Sequence, residues 1–495
     1  MNSSVRHVVV VGGGPAGSAA AIEVARLGCR VTLVDEHPQS AAAMSLDAPY
    51  FYGARFSPLL SNVRAVAERV LGANEALMAC VEAGVEVLTS TVAWGVFLEG
   101  PTSRHLGAPK VALADDQRSW CLDFDALILA PGARDLVLSF PGWQLPGVLG
   151  VKGASTLLES YHAFEGRRVL ILGSGTAGLA FARSARASGI NVAGVVDPAG
   201  EIAGDAALAQ ALQLAGVTFL LDHAIERAIG TQEVEAARLV HRKNGSRQDI
   251  ACDTIVMAFG PVPNVELAAI AGCALTYDEM RGGWCPVLGP DMQSSVEGVF
   301  VVGDGAGIDA VGLLDPEIAI REARAAARAA ACGETAPCVP PRIAPVTSDR
   351  RGAAEVWLEA LVDAAGLDVV VCQCEEVTRR ELLDLAPPRY LGTRGRPPGE
   401  ALETAIAGGR LSQDLVKRMT RAGMGHCQGK RCRDHVAMLL ARALGLPLAN
   451  VAPGTYRAPV RPVSLAVMQA DDESAELRER WAYWLHPVEG PPAGL

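Results

Sequence analysis

The apolar positions of this chain fall into short β-branched runs that end at glycine-rich turns, each followed by an alanine-rich stretch. The first run, Val8–Val11, is long enough for one buried strand of a parallel sheet. The stretch after it keeps a helical pattern and stops at Gly28, a residue suited to the left-handed position that ends a helix. A second apolar run, Val31–Val34, ends on Asp35. The pattern therefore predicts a strand–helix–strand unit at the start of the chain.

The turn between the first strand and its helix has the spacing G-x-G-x-x-G, which is typical of a site for an adenine dinucleotide. The glycines allow a tight turn and close approach of the backbone to a pyrophosphate, which the helix N-terminus attracts. Asp35 lies 18 residues beyond Gly17 (35 − 17), where a carboxylate can accept both ribose hydroxyls. A purely structural glycine turn is the alternative, but it gives no reason for this acid. The predicted cofactor-binding residues here are Gly12, Gly14, Pro15, Ala16, Gly17, Asp35 and Glu36.

A second copy of this pattern begins with the apolar run Val169–Leu172. It continues into another G-x-G-x-x-G turn and a helix that ends at Gly189, and its second strand ends at Asp197. The predicted dinucleotide-binding residues of this copy are Gly173, Gly175 and Gly178. Two alternatives stay open, because a retained dinucleotide-binding fold with or without bound NAD has the same pattern.

Two further segments return to the first unit. The strand Ala126–Ala130 ends at Pro131-Gly132, and Val299–Val302 delivers Gly303 and Asp304. An aspartate at such a strand end can accept the ribityl hydroxyls of a flavin, and its other interpretation is an ordinary turn aspartate. The predicted cofactor-binding residues of these segments are Ala130, Gly132, Gly303 and Asp304.

Four cysteines near the C-terminus have the spacing of a metal centre. Cys372 and Cys374 form a C-x-C pair, and Cys427 and Cys432 form a C-x4-C pair 53 positions later (427 − 374). Four thiolates from two glycine-rich or extended loops favour a [2Fe–2S] cluster. Zinc is the main alternative, although zinc sites more often use C-x2-C pairs, and buried unligated cysteines are the other. No comparable pair lies near either nucleotide motif, which excludes dithiol–disulfide chemistry there, and no nucleophile–base pair identifies catalytic residues.

Composition narrows the class of partner. The 495 residues carry a formal charge of −11, which argues against a nucleic-acid partner. No window holds about 18 uninterrupted apolar residues, so we expect no transmembrane helix, and the N-terminal apolar run is a strand rather than a signal peptide. We therefore expect a cytoplasmic protein whose 12 cysteines are mostly reduced.

The order of these motifs resembles the larger A or alpha subunit of heteromeric flavin-dependent amine and amino-acid dehydrogenases. This family includes opine oxidases, D-hydroxyproline dehydrogenase and hydrogen cyanide synthase. The most specific segments are VCQCEEVT and GMGHCQGKRC, and the others are VVVVGGGPAG, DALILAPGARDLVLSFPGWQLPGVLG, GPVPN, GVFVVGDGAG and GTYRAPVRPV. Gln39–Ala43 departs from the family's Gly-Gly-Gln loop, so FAD and another adenine nucleotide both stay open for the first site.

The resemblance implies an α/β fold with two dinucleotide-binding domains of the glutathione-reductase-like, three-layer ββα Rossmann type. A small α-rich, BFD-like [2Fe–2S] domain follows. The predicted divisions are a first nucleotide domain (1–135 and 263–332), a second, NAD-like domain (136–262), a linker (333–366), the cluster domain (367–446) and an extended C-terminal arm (447–495).

The resemblance also implies a function in electron transfer. A smaller FAD-containing, amine-oxidase-like subunit would carry the substrate site. The open alternatives are a further small subunit, plus an FMN or second flavin at an interface between chains. Electrons from an amino acid or secondary amine of the glycine, hydroxyproline or opine class would pass to a respiratory acceptor, with association at the inner face of the membrane through partners. Two rival functions remain, a self-sufficient NAD(P)H-dependent reductase and a scaffold that holds nucleotide and cluster without catalysis.

Overall fold

The computed structural model describes residues 5–38, 68, 72, 74–99, 107–308, 316–332, 352–387, 402 and 412–468. The departure at Gln39–Ala43, most of the predicted linker and the segment 388–400 lie outside the described residues. No helix in the described ranges is long and apolar enough to cross a membrane.

The strands of the described chain are, in order, β1 His7–Val11, β2 Arg30–Val34, β3 Glu86–Leu88, β4 Val92–Phe97, β5 Lys110–Ala114, β6 Ser119–Asp123, β7 Ala126–Leu129, β8 Ala133–Asp135, β9 Val148–Gly150, β10 Arg168–Leu172, β11 Asn191–Val196, β12 Phe219–Leu220, β13 His223–Ile229, β14 Ala236–His241, β15 Arg247–Ala251, β16 Thr254–Met257, β17 Pro261–Pro263, β18 Leu275–Asp278, β19 Gly283–Pro286, β20 Val299–Val301, β21 Val370–Cys372 and β22 Val377–Thr378.

The helices are α1 Pro15–Arg26, α2 Glu75–Glu82, α3 Val151–Ser155 with a π-helical continuation Thr156–Ser160, α4 Thr176–Ala187, α5 Ala206–Leu214, α6 Glu266–Ile270, α7 Glu317–Cys332, α8 Ala353–Ala365, α9 Arg379–Leu383, α10 Gln413–Thr420, α11 Arg433–Leu444 and α12 Leu465–Met468. Short 3-10 turns lie at Glu279–Arg281, Gly303–Ala306 and Leu448–Asn450.

The first unit is built on a parallel sheet with the strand order β20-β7-β1-β2-β3. Val8 pairs with Val31 on one side and with Ala126 on the other. Because β1 lies at the centre of this sheet, Val8, Val9 and Val10 are fully buried. Helices α1 and α7 and the antiparallel sheet β4-β5-β6 contribute to the same hydrophobic core. The predicted ββα layering is confirmed.

The second unit repeats this plan inside the first. Its parallel sheet has the order β12-β11-β10-β16-β9, with the antiparallel sheet β13-β14-β15 beside it. The two-stranded ladder of β8 and β17 joins the units where the chain crosses from one to the other, and Ala133 pairs there with Pro263.

The C-terminal region shares a core with the second unit. Trp357 and Leu361 of α8 pack in one cluster with Phe259 and with Leu439 of α11. The rings of Phe259 and Trp357 lie 4.8 Å apart. The prediction of a linker over 333–366 is therefore wrong at its C-terminal end, because the apolar residues of 353–365 recur at helical spacing and are buried. The other predicted divisions remain predictions.

Candidate functional site

The first glycine-rich loop has the geometry that its sequence predicts. Gly12 has φ +108°, and a Cβ placed on it would overlap the carbonyl oxygen of Ala130. A Cβ on Gly17 would overlap the carbonyl oxygen of Gly12, so neither position accepts a side chain without movement of the backbone. Among the described residues, by contrast, nothing lies within 4 Å of such a Cβ on Gly14, which is exposed, and Pro15 begins α1 beside it. The N-terminus of α1 is therefore open to solvent at this loop.

Asp35 closes the loop from the end of β2. Its carboxylate accepts hydrogen bonds from the backbone N–H of Gly13 and of His37, and its Oδ1 lies 3.0 Å from Nδ1 of His37. Burial favours a raised pKa for Asp35, but the bonds from His37 and Gly13 outweigh it and hold the pKa below its ordinary value. Although burial alone would lower the pKa of His37, Asp35 raises it. When His37 is protonated, the two side chains form an ion pair at this end of the site.

A cleft of about 920 Å³ extends from this loop between the two units and the C-terminal region. Pockets for small molecules and cofactors commonly measure roughly 300–1,000 Å³, so this cleft is large enough to hold a dinucleotide. The predicted residues that line it are Gly12, Gly14, Asp35, Glu36, Ala130, Gly132 and Cys427. The structure therefore brings predicted nucleotide-binding residues from two segments of the first unit to a single cavity. One predicted cluster ligand, Cys427, lines the same cavity.

Several lining residues are not among the predicted cofactor-binding residues, and they come from distant parts of the chain. They include the apolar residues Trp143 and Val460 and the cationic residues Lys152, Lys430, Arg431 and Arg461. Of these six residues, only Lys152 lies outside the segments on which the family resemblance rests.

Gly303 and Asp304 lie in the 3-10 turn that follows β20. A Cβ on Gly303 would lie 3.0 Å from the Cβ of Ala16, so this turn packs against the start of α1. The carboxylate of Asp304 is 3.9 Å from Nζ of Lys152, which lines the cleft. The predicted ribityl-binding aspartate thus approaches the same cavity.

The second glycine-rich loop repeats the packing of the first. Gly173 has φ +118°, and a Cβ there would overlap the carbonyl oxygen of Ala258. A Cβ on Gly178 would overlap the carbonyl oxygen of Gly173, and Gly175 caps the start of α4. The three predicted glycines form the expected turn.

The two loops differ in what lies over them. The backbone N–H of Gly204 donates to the carbonyl of Ser174 at 2.9 Å, and a Cβ placed on Gly204 would lie 2.6 Å from the backbone nitrogen of Thr176. Thr176, the first residue of α4, is only 6% exposed, whereas Pro15 at the same place in the first loop is exposed. The backbone of the chain therefore covers the helix N-terminus in the second unit.

The acid of the second unit also bonds to its own loop. Asp197 accepts from the backbone N–H of Ser174 at 2.9 Å, from the Ser174 hydroxyl at 2.7 Å and from the backbone N–H of Ala199 at 3.0 Å. Burial raises the pKa of Asp197 despite these bonds. Three of about four acceptor positions on this carboxylate are therefore filled by the protein.

The four predicted cluster cysteines meet as two pairs. Cys372 ends β21, and its thiol is within hydrogen-bonding reach of Cys432, the residue before α11. Cys374 is within the same reach of Cys427. None of the four is in a disulfide. In the part of the chain that is described, no group of three or more His, Cys, Asp or Glu side chains could hold a metal ion in this arrangement.

Backbone N–H groups point at these sulfurs. The N–H of Gly423 donates to Sγ of Cys372 at 3.4 Å, and those of Gly429 and Arg431 donate to Cys427. The bond from the Cys374 thiol, followed by these N–H groups, overcomes the effect of burial and lowers the pKa of Cys427 to about 5. The pocket therefore favours a thiolate at Cys427.

A buried charge network fixes the cysteine loop to the wall of the cleft. The guanidinium of Arg134 donates to the carbonyl of Lys430 at 3.2 Å and lies 2.8 Å from a carboxylate oxygen of Asp434. It also lies 3.2 Å from Glu266, which is 3.6 Å from Arg433. Although burial would raise the pKa of Glu266, Arg134, Lys430 and Arg433 lower it.

Sequence profiles of two families match this chain. That of pyridine nucleotide-disulphide oxidoreductases matches residues 6–330, which hold both nucleotide-binding units. That of the sarcosine oxidase A3 domain matches residues 399–472, which include Cys427 and Cys432.

Individual proteins resemble the chain over most of its length. The A subunit of opine oxidase from Agrobacterium tumefaciens is 27% identical over 94% of this chain and 91% of that protein. Hydrogen cyanide synthase subunit HcnB of Pseudomonas aeruginosa is 27% identical over 88% of this chain and 93% of that protein. The crystal structure of L-proline dehydrogenase from P. horikoshii has a TM-score of 0.56 at 20% identity, covering 95% of this chain and 81% of that one. This structural likeness establishes the fold.

Proposed function

The chain belongs to the pyridine nucleotide-disulphide oxidoreductase family, and from this premise we propose that it is the electron-transferring subunit of a heteromeric flavin and iron–sulfur dehydrogenase. The observation that carries the proposal is the shared wall: Cys427 lines the same cleft as Gly12 and Asp35. A nucleotide held at the loop and a cluster held at the cysteines would then border the same cleft. Because no C-x2-C or C-x4-C cysteine pair lies near either nucleotide motif, dithiol–disulfide exchange is not part of this proposal.

The residues of the cleft fit FAD. The open N-terminus of α1 with Gly12 and Gly14 would hold the pyrophosphate, and Asp35 would hold the ribose. Asp304 and Lys152 would face the ribityl region. The apolar side chains of Trp143, Val148 and Met257 line the same cleft, where a flavin ring can be buried. Another adenine nucleotide in this site is the alternative, since Gln39–Ala43 replaces the loop usual for the family.

The cysteines fit a [2Fe–2S] cluster, with two thiolates for each iron. Their arrangement as two pairs, rather than as one group of three or four around a point, favours this centre over a single zinc ion. The N–H groups of Gly423, Gly429 and Arg431 already point at the sulfurs and would stabilise negative charge there. When bound, FAD would accept electrons two at a time, and the cluster would transfer them singly.

The names of the relatives support a partner subunit for this chain. The opine oxidase and hydrogen cyanide synthase relatives are named as subunits, so we place amine or amino-acid oxidation in a smaller FAD-containing partner of this chain. Glycine, hydroxyproline and opines are the candidate substrates, and a respiratory acceptor at the inner face of the membrane is the candidate destination of the electrons. The rival function, a self-sufficient NAD(P)H-dependent reductase, is less favoured because Gly204 covers the second helix N-terminus.

Metal and sulfide analysis of anaerobically purified chain tests the cluster. We expect about two irons and two sulfides per chain and a paramagnetic signal after reduction with dithionite. Cys427→Ser should lose this signal, while Cys121→Ser, at an exposed cysteine outside the quartet, should keep it. Zinc in place of iron, or no signal after reduction, would contradict the proposal.

Reconstitution with the partner tests which of the two subunits oxidises the substrate. We expect an amine or amino acid to reduce the flavin only when the smaller subunit is present. Reduction of the purified chain alone by such a substrate would place the chemistry here instead.

A further inference from the structure

The C-terminal arm is fixed at the nucleotide end of the cleft. The backbone N–H of Val460 donates to the carbonyl of Trp94 in β4 at 2.9 Å. The Val460 side chain is 6% exposed and packs in the hydrophobic core of the first unit. This stretch of the arm is therefore an integral part of the first unit, although more than 400 residues of chain separate it from β1 (460 − 11 = 449).

The next residue of the arm makes an ion pair across the cleft. Nη2 of Arg461 lies 2.7 Å from Oε2 of Glu36, and the Arg461 side chain is only 14% exposed. Burial would raise the pKa of Glu36, but Arg461, His37 and Lys430 together lower it, so the carboxylate is charged at neutral pH. Glu36 directly follows Asp35, and all of Asp35, Glu36, Val460 and Arg461 line the cleft.

Two segments that are distant in the sequence thus contribute positive charge near Glu36, the residue after the predicted ribose-binding Asp35. The arm contributes Arg461, and the cysteine loop contributes the positive charge of Lys430. The first unit contributes the exposed start of α1 at Gly14. A ligand whose pyrophosphate lies at Gly14 would have its ribose at Asp35, next to the residue that Arg461 binds.

We propose that Val460 and Arg461 form a clamp over the adenosine end of the bound nucleotide, with the Arg461–Glu36 ion pair as its latch. This inference rests on the proposed binding of an adenine nucleotide in the cleft. The nucleotide leaves only after the latch opens, so the latch sets its rate of dissociation. The clamp acts on the adenosine portion, which FAD and simpler adenine nucleotides share.

The dissociation rate of FAD from the full-length chain tests the clamp. FAD fluorescence rises when the flavin is released, and excess ADP prevents rebinding. We expect Arg461→Ala to release FAD about tenfold faster, because the variant lacks the partly buried ion pair that holds the arm at Glu36. Arg461→Lys should fall between Arg461→Ala and the wild type. Arg457→Ala, at an exposed arginine of the same arm, is the matched control and should leave the rate unchanged.

A second variant tests the latch from the other side. Glu36→Gln should speed release to a similar degree, and the double variant Glu36→Gln/Arg461→Ala should be no faster than either alone. Circular dichroism and the melting temperature of each nucleotide-free variant show whether it folds. Equilibrium dialysis with ADP shows whether the effect lies in the adenosine portion.

The outcomes separate the two proposals. A wild-type chain that binds neither FAD nor ADP would overturn the proposed function, and the clamp with it. A wild-type chain that binds nucleotide and releases it no more slowly than folded Arg461→Ala and Glu36→Gln would overturn the clamp alone.

Discussion

Asp35 and His37 show how single residues prepare the nucleotide end of the cleft. The carboxylate of Asp35 receives the backbone N–H of Gly13 on Oδ2, and the backbone and ring of His37 on Oδ1. A carboxylate offers about four acceptor positions, so roughly one remains for a ribose hydroxyl. The sequence pattern predicted that this carboxylate accepts both hydroxyls, whereas the local bonds leave room for one.

The raised pKa of His37 leads to a pH dependence of stability. A protonated His37 stabilises the folded chain below the ordinary histidine pKa, and this stabilisation is lost as the pH rises through the higher folded-state pKa. The lowered pKa of Asp35 sets the other limit, since its contribution is lost as the pH falls through that lowered value.

We expect the melting temperature of the wild type to exceed that of His37→Gln most between about pH 4.5 and 6.5. The difference should shrink at higher pH, and it should be small because the His37 side chain is 42% exposed. Scanning fluorimetry of both proteins across this pH range measures it. A difference that does not change with pH would contradict the ion pair.

Gly17 and Gly14 differ in the space available for a side chain, although both belong to the motif. In Gly17→Ala the new methyl group meets the carbonyl of Gly12, which should cost about 1–3 kcal/mol of stability. In Gly14→Ala the new methyl group meets none of the described residues within 4 Å, so this variant is the matched control, with a change below about 0.5 kcal/mol. Urea unfolding of the nucleotide-free proteins measures both. Equal losses would contradict the close packing of α1 on its loop.

At the scale of elements, the sequence predicted those helices and strands whose formation depends on neighbouring residues. The units β1–α1–β2 and β10–α4–β11 were predictable because a glycine turn, an alanine-rich helix and a terminal acid follow one another within about 30 residues. Helix α8 was missed because the prolines before it suggested a linker, although Trp357 and Leu361 have helical spacing. The cover that Gly204 places over the start of α4 was not predictable, because it depends on the path of a loop rather than on the motif.

This cover predicts how the chain responds to a nicotinamide cofactor. Since the N-terminus of α4 is covered by Gly204 and Asp197 bonds to its own loop, we expect NADH not to reduce a flavin bound to the chain. Stopped-flow absorbance after mixing with NADH measures this, and dithionite serves as the positive control. Rapid bleaching by NADH would favour the rival reductase function.

At the scale of the whole molecule, the family resemblance predicted from the motifs is confirmed by the matching profiles and relatives. The position of the cysteine loop in the wall of the cleft could not be predicted from the sequence. It depends on Arg134, a crossover residue that is not among the predicted site residues, and on contacts between segments about 300 positions apart.

Arg134 therefore offers a test of how the parts are joined. Arg134→Met removes the nearer cationic partner of buried Glu266 and leaves the carboxylate with the more distant Arg433, so it should lower stability by about 3 kcal/mol. Arg238→Met breaks the ion pair with Asp249, and both of these side chains are roughly 40% exposed. This variant should lose less than about 1 kcal/mol of stability. Thermal unfolding of both variants compares them, and equal losses would contradict a joining role for Arg134.

The insertion of the second unit into the first has a consequence for synthesis on the ribosome. The sheet of the inner unit has all its strands once Met257 has emerged, whereas the outer sheet still lacks β20, which ends at Val301. Chains are synthesised from the N-terminus at about 5–20 residues per second, so the inner unit can complete its sheet a few seconds before the unit that encloses it. During that interval the outer half-sheet exposes the edge of β7, and this nascent intermediate is where a chaperone would have most to protect.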